Sequence, residues 1–456
     1  MGGRLGRRLS TDDATFPASL PSTSFQSEVW NMLTSVIDVA AEASSGSGTA
    51  VDPWVGWDVA ITWTGGIVYY FRPGYFLLTT TLALPNNYTH LIGAGWRAAI
   101  IDFEPTANDT ALYFANGASE VWGSSISNLS IRSDDATWTK VAIDIADVRT
   151  FTIRDVEISG SVVVGSTAMW SSTGDDCIGI RLGGRESISI QNISVQADRP
   201  ILIADNPNSV IDIDHAHFTD CELIANANPV VEIATGVNLT QVTFAGRQAW
   251  VKGTDGLKWV DTTTAAVGIG LRLQNIRWEQ CESATGYFVD IEHNTGLQQL
   301  LVQHCYGGLA ARGIKLRKCN SVRLQSAFYP DNAGVALDVD ATVYPLILDN
   351  CFFQTGSTLS VVGLTKLFDS GQSTFSGTIN PLVLYDLSSV ATNAITTINS
   401  TVTGRMKIPV VLTASLPVAA VADDGLLIIE QGAAGDMNLV FYAAGERHRV
   451  DGGGNV

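Results

Sequence analysis

The segment Gly174-Asp-Asp-Cys-Ile-Gly-Ile180 sets two carboxylates, Asp175 and Asp176, side by side in front of an alternating strand. Adjacent acids repel each other's charge, so one of them keeps its proton more readily. A protonated carboxyl close to an ionised one is the requirement of glycoside hydrolysis, with an acid for the leaving oxygen and a base or nucleophile at the sugar carbon. The residues just before, 161–176, include Trp170, and a second long excursion between 242 and 276 holds Trp250, Lys252, Trp259 and Asp261. Indole faces stack on sugar rings, so Trp170, Trp250 and Trp259 are the expected substrate contacts. Plainer readings stay open: a polar turn entering a strand with Cys177 buried, and tryptophans that cover the fold or pack between subunits.

The frame of Ile178-Gly-Ile-Arg-Leu182, applied to its sister segments, yields a second set. Those segments include Val141–Ile145, Tyr287–Ile291, Gly313–Leu316 and Val335–Val339. Their outward positions are Tyr113, Asp144, Arg181, Leu202, Glu232, Asp290, Lys315 and Asp338. Neighbouring rungs of a parallel sheet lie ~4.8 Å apart. Carboxylates one or two rungs apart therefore have a spacing suited to a sugar bond, making Glu232 and Asp290 further catalytic candidates and Arg181 a substrate contact. The same row also reads as cross-rung ion pairing, Asp144 with Arg181 and Asp290 with Lys315 and Asp338. There is no glycine-rich phosphate loop, and the six histidines are scattered, so neither a metal nor a cofactor is expected.

These side chains need a framework, and the chain repeats. The pattern aliphatic, any, polar, apolar, any, large apolar recurs with its second apolar residue at Leu129, Val156, Ile193, Ala216, Val242, Ile276, Cys305, Ala327 and Cys351. The intervals run from 22 to 37 residues with a mean near 28. The preceding residue is always polar: Asn128, Asp155, Asn192, His215, Gln241, Asn275, His304, Ser326 and Asn350. Period-2 alternation with one buried face means strands, and a constant polar position between two of them means a tight turn. Stacked one coil apart, such residues form a polar ladder. The fold expected is a right-handed parallel β-helix in which each coil holds about three short strands. Cys305 and Cys351 occupy anchor positions and read as buried thiols. Of six Asn-x-Ser/Thr sequons, those at Asn128 and Asn192 fall on the ladder and are expected to point inward.

Composition agrees. A chain of 456 residues is long for one globule, and a solenoid escapes that limit because each coil packs only on its neighbours. The net charge of −18 repels nucleic acid. No run of about 18 apolar residues is present, so membrane insertion is not expected. The first nine residues lack the apolar core of a signal peptide, so release from a cell would be by lysis or within a particle.

The ends differ from the middle. Thr23 and Gln26 fit a capping box, and Val29, Met32, Leu33, Val36, Ile37 and Ala40 follow helical spacing, predicting a capping helix over 23–43. Ser44-Ser-Gly-Ser-Gly48 reads as a flexible joint. The divisions expected are an arm and helix over 1–50, the β-helix over 51–375, and a small β-rich module for attachment or trimerisation over 376–456. The opening Gly65-Gly-Ile-Val-Tyr-Tyr-Phe-Arg-Pro-Gly-Tyr75, followed by Leu91-Ile-Gly-Ala-Gly95, resembles the pectate-lyase-like β-helix family, which includes bacteriophage tailspikes and polysaccharide depolymerases. Gly174–Ile180 resembles the Asp-Asp-Cys segment of polygalacturonases, which would make Asp175 and Asp176 acid and base. The Gly-His-Gly and Arg-Ile-Lys motifs of those enzymes are absent, and Gly313–Leu316 is the nearest counterpart. The resemblance implies a homotrimeric virion spike that binds host surface glycan together with other virion proteins. It implies either glycoside hydrolase or polysaccharide lyase activity, or a structural, receptor-binding fibre with no activity.

Overall fold

The computed structural model describes residues 36–353, apart from 116–119, 161–167, 184–185, 205–211, 263–265, 280–282, 284, 308–311, 330–334 and 341. From 354 onward it describes the backbone of eight short strands. The described chain is nearly all β, a parallel solenoid of about ten turns. One sheet system of 34 strands carries it, and its inner strands pair in parallel with segments one coil earlier and one coil later.

One coil shows how the sequence builds it. Ile178–Leu182 lies in a first sheet, between Lys140–Ile145 of the coil before and Arg199–Ile203 of the coil after. The chain bends at Ser187, runs through the short segment 188–191 of a second sheet, bends again at Asn192, and enters a third sheet over 193–197. Both bends are single left-handed residues, with φ 54° at Ser187 and 49° at Asn192. The bends stack. Tyr88, Gly123, Thr150, Ser187, His215, Gln241, Gly270, Gln299 and Ser321 form one left-handed column, and Asn128, Asp155, Asn192, Asp220, Asn275, His304, Ser326 and Asn350 form the other. Short polar side chains tolerate this conformation best, which explains the constant polar position. Rungs bond directly: Asn192 Nδ2 donates to Asp155 Oδ1 at 2.5 Å. Beside them Gln274 donates to Gln303 and Gln303 to Gln325, at 3.0 and 3.1 Å.

Two of the nine expected anchors belong elsewhere. Register places Ala216 beside Ile188 and Val242 beside Leu271, on the second sheet. The interior column that holds Leu129, Val156 and Ile193 continues through Cys221, Gln248 and Ile276 to Cys305. The two bends stand five residues apart in coil after coil, as at 187 and 192 or 215 and 220. Both carry the same aliphatic-to-polar pattern, so the sequence motif matches either one. His215 and Gln241 accordingly sit in the first column of bends. Gln248 has no exposure to speak of, and its amide is satisfied by Phe218 O and Ala245 O at 3.1 and 2.6 Å. Asn128 is half-buried and Asn192 exposed, so the ladder faces outward, correcting the inward expectation.

The N-terminal boundary also differs. Val36–Asp38 is a strand paired with Ile67–Phe71, and Val39–Ala41 is a short 3-10 turn capped by Asp38. No α-helix forms over 36–43, and residues 23–35 lie outside the described residues. β-Branched Val36 and Ile37 instead cover the free edge of Ile67–Phe71. The expected joint at 44–48 is a hairpin, with Ser44 N–H bonded to Val55 O and Ser47 N–H to Asp52 O. Trp57 plugs the first coil, edge-on to Phe71 and Phe76 at 5.5 and 6.0 Å. Near the C-terminus Leu427–Gln431, Met437–Ala443 and Glu446–Arg449 form an antiparallel meander joined by Val410–Leu412. Five cysteines are described, all buried, and Cys281 lies outside the described residues.

Candidate functional site

The outward row of the first sheet runs as the alternation requires: Tyr113, Asp144, Arg181, Leu202, Glu232, Lys258, Asp290, Lys315 and Asp338 on successive rungs. Lys258 is the member that the sequence reading missed. Its coil has a Lys-Trp-Val-Asp strand with no acidic residue in the outward frame. Seven of its nine members are charged, Asp144, Leu202 and Asp290 are buried and the rest half-buried, and each of its four carboxylates has a cation. Asp144 lies 3.4 Å from Arg181, Glu232 2.7 Å from Arg199, Asp290 3.1 Å from Lys315, and Asp338 2.7 Å from Arg317. Burial lifts the Asp144 carboxyl to about 6, against the pull of Arg181. Burial opposes the charge of Lys315, but Asp290 and Glu292 outweigh it and hold the ammonium above its usual range. Tyr287 joins this end of the row, its hydroxyl accepting from Arg312 at 3.0 Å and lying 3.3 Å from Asp338 Oδ2.

Asp175 and Asp176 stand at the corner where the chain enters this sheet, both exposed, on a turn whose left-handed residue is Asp175 at φ 52°. The turn is anchored from below. Asp198, fully buried on the next rung, accepts from the Ser172 and Cys177 N–H groups at 3.2 and 3.1 Å. Asn226 donates to Asp175 Oδ1 at 3.2 Å and to Asp198 Oδ1 at 3.2 Å. Asn228 donates to Asp175 O at 2.5 Å and accepts from Arg199 Nη2 at 3.2 Å. Arg199 in turn holds Glu232. Asp175 and Glu232, distant in sequence, are thus joined through Asn228 and Arg199.

The loop before Lys140 stacks on the same turn, with Thr173 N–H bonded to Ala136 O at 3.1 Å and Cys177 Sγ 3.6 Å from Trp138 O. Trp138 is exposed there. The corner therefore combines an indole, two exposed carboxylates, two amides and an Arg–Glu pair. Such a set can stack a sugar ring and bond its hydroxyls. The carboxylates of Glu232 and Asp290, each beside a cation, are placed to accept hydrogen bonds.

Trp170, Trp250 and Trp259, expected as sugar contacts, are all fully buried. Trp170 stacks on Phe103 at 6.2 Å, under the Lys140 ammonium at 5.4 Å, and bonds Lys140 O. Trp250 stands between Leu223 and Trp278 on interior rungs, and Trp259 between Ile233 and Ile291. The alternation places Trp250 and Trp259 inward, Trp170 is buried at an isolated bridge to Ala197, and length of interval was a poor guide to exposure. Among the described residues the exposed aromatics are Trp138, Trp122, Tyr88 and Tyr344. Trp122 and Trp138 lie immediately before the turn glycine Gly123 and before the strand start at Lys140, which is the signal that would have found them.

On the third sheet Arg132 and Glu157 form a buried ion pair at 2.5 Å, extended by Arg97 at 2.9 Å and Ser130 at 3.1 Å. One rung from Arg132, burial with help from Glu104 and Asp134 lifts Asp102 to about 7. Among the described residues no group of three or more His, Cys, Asp or Glu could hold a metal ion.

No family model and no curated protein matches the chain. Solved structures similar to it include Geobacillus virus E2 ORF18, at 12% identity and TM-score 0.37, covering 93% of this chain and 88% of that one. Another is the bacteriophage CBA120 tailspike protein 3, at 13% identity and TM-score 0.35, covering 93% and 70%. A third is the catalytic unit of a GH87 alpha-1,3-glucanase from Streptomyces thermodiastaticus strain HF3-3, at 12% identity and TM-score 0.37, covering 76% and 68%. At these values the likeness bears on no residue's role, and the solenoid stands on its own register.

Proposed function

We propose that this chain is a tailspike-like virion protein that adheres to a polysaccharide on the host surface. The observation that carries the reading is the corner where Trp138, Asp175, Asn228, Arg199 and Glu232 are linked at the head of a charged row. A row that alternates carboxylates and ammonium groups from Glu232 through Lys258, Asp290 and Lys315 to Asp338, one rung per step, suits a linear polymer of hydroxylated rings. The resemblance of Gly65–Gly95 to the entry of pectate-lyase-like β-helices supports it. In this reading the protein works as a homotrimer with other virion proteins, since a single solenoid leaves long flanks uncovered.

Cleavage is the second reading, with Asp175 and Asp176 as the carboxylates and an inert receptor-binding fibre as its contrary. One experiment addresses both. Purified protein is applied to an array of bacterial capsule and lipopolysaccharide glycans, and the captured glycan is assayed for new reducing ends or unsaturated products. Binding that falls at least tenfold in Trp138→Ala and Arg199→Ala supports adhesion through this corner. Binding unchanged in both variants, or none by the wild type, overturns it. New ends released by the wild type and not by Asp175→Asn/Asp176→Asn establish cleavage. Capture without product establishes the fibre.

A further inference from the structure

A second aromatic group stands at a different corner, where the chain passes from the first sheet to the second. Tyr88 is the most exposed aromatic side chain described, at 55%, and Trp122 follows one coil later at 39%. Tyr88 occupies the first column of left-handed bends at φ 57°, where the other coils described use glycine or a polar residue. A bulky aromatic residue is uncommon in that conformation and is held there by its surroundings. Its N–H bonds Trp122 O at 2.6 Å, and its own carbonyl accepts from Gly66 N–H at 3.0 Å.

The neighbours are arranged around it. Gly123 has no side chain where the Tyr88 ring lies; a Cβ there would meet Tyr88 Cδ1 at 2.4 Å and Cε1 at 2.5 Å. Asn87 Oδ1 accepts from Trp122 N–H at 2.8 Å, fixing the strand that carries the indole. The Arg149 guanidinium lies 5.1 Å from the Trp122 ring, covering one side of it. Arg149 is itself held by Glu120 at 2.8 Å and Glu186 at 3.6 Å. Two aromatic faces with polar groups at their edges match a ligand that has apolar faces and hydroxyl edges.

We propose that Tyr88 and Trp122 form a second carbohydrate subsite, taking a neutral pyranose unit that stacks on the rings. Its hydroxyls would bond Arg149 and Glu186. Neutral is the class because one guanidinium stands between two carboxylates, so an acidic sugar would meet a net negative surface. The proposal rests on the glycan-binding reading above, but it uses a corner that shares no residue with Trp138, Asp175 and Glu232.

Affinity electrophoresis of the full chain in gels cast with dextran, mannan, galactan or hyaluronate tests it. Retardation by at least one of the three neutral polymers, exceeding that by anionic hyaluronate, is the expected result. Trp122→Ala and Tyr88→Ala should each weaken it at least tenfold. Tyr88→Gly supplies the distinguishing measurement: it relieves the left-handed backbone and should raise the melting temperature while still weakening retardation. A merely structural Tyr88 would show no loss of retardation in that variant. Retardation unchanged in both alanine variants but lost in Trp138→Ala overturns this subsite and leaves the first corner standing. A fall in oligomeric mass by light scattering with retardation intact reassigns the patch to a protein interface, and no retardation of the wild type by any polymer overturns the subsite.

Discussion

Asp198 lies one rung beyond Cys177, and its buried carboxylate accepts the Cys177 N–H at 3.1 Å while also holding Ser172 N–H. The turn that presents Asp175 and Asp176 is therefore built on an acid that never reaches solvent. Replacing Asp198 with Ala leaves two backbone donors without a partner, at a cost of about 1–3 kcal/mol for each. Asp198→Ala should lower stability by about 2–4 kcal/mol in denaturant unfolding. Hydrogen exchange should accelerate first over 171–177, and uniform acceleration would contradict the anchoring role.

Asn192 tests the bends. Glycine at this position keeps the left-handed conformation and loses only the bond to Asp155, so Asn192→Gly should cost less than about 1 kcal/mol. Asn192→Val puts a β-branched residue where φ is 49° and should cost about 2–3 kcal/mol. Equal midpoints for the two variants in urea would refute the assignment of that bend.

Asp102 gives the pH dependence. Its folded pKa is raised to about 7, well above its value in an unfolded chain. The folded state keeps a proton that the unfolded state releases, so this group's effect is small below about pH 4. Stability falls as pH rises from there, and the full penalty is reached above about 7. Asp102→Asn removes the penalty. It should stabilise the protein at pH 8 by up to about 4 kcal/mol and leave stability at pH 4 nearly unchanged, as read by thermal melts at both values. Equal effects at the two pH values would show that Asp102 ionises normally.

The exposed pair is the fourth case. Because both carboxylates reach solvent, Asp175→Asn/Asp176→Asn should melt within about 1 °C of the wild type. A loss of several degrees would mean that these acids support the fold.

Much of the architecture was legible because it depends on period-2 alternation. The outward row from Tyr113 to Asp338 followed from the frame of a single strand. Where two motifs look alike, local pattern failed: Ala216 and Val242 follow an aliphatic-to-polar step as Ile193 does, but they belong to the other bend. The helix expected over 23–43 failed over 36–43 because a free sheet edge competes with helical spacing for Val36 and Ile37. The aromatic contacts were misjudged because Trp250 and Trp259 obey the alternation even within long intervals, whereas Trp122 and Trp138 stand where strands begin or bend. The chain from Asp175 through Asn228 and Arg199 to Glu232 had no sequence signature, since its members meet only when coils stack.

The left-handed bends also separate what can vary from what cannot. Four residues lie between them in coil after coil, so an insertion there would throw every later side chain to the wrong face. The corner before the first sheet has no such constraint. It is the single residue Asp198 between Ala197 and Arg199 in one coil and a far longer excursion between Ser159 and Ile178 in another, with the same rung register on both sides. A lineage of this protein could therefore exchange whole loops at that corner, by recombination or by grafting in the laboratory, and acquire a new target while inheriting the rod unchanged.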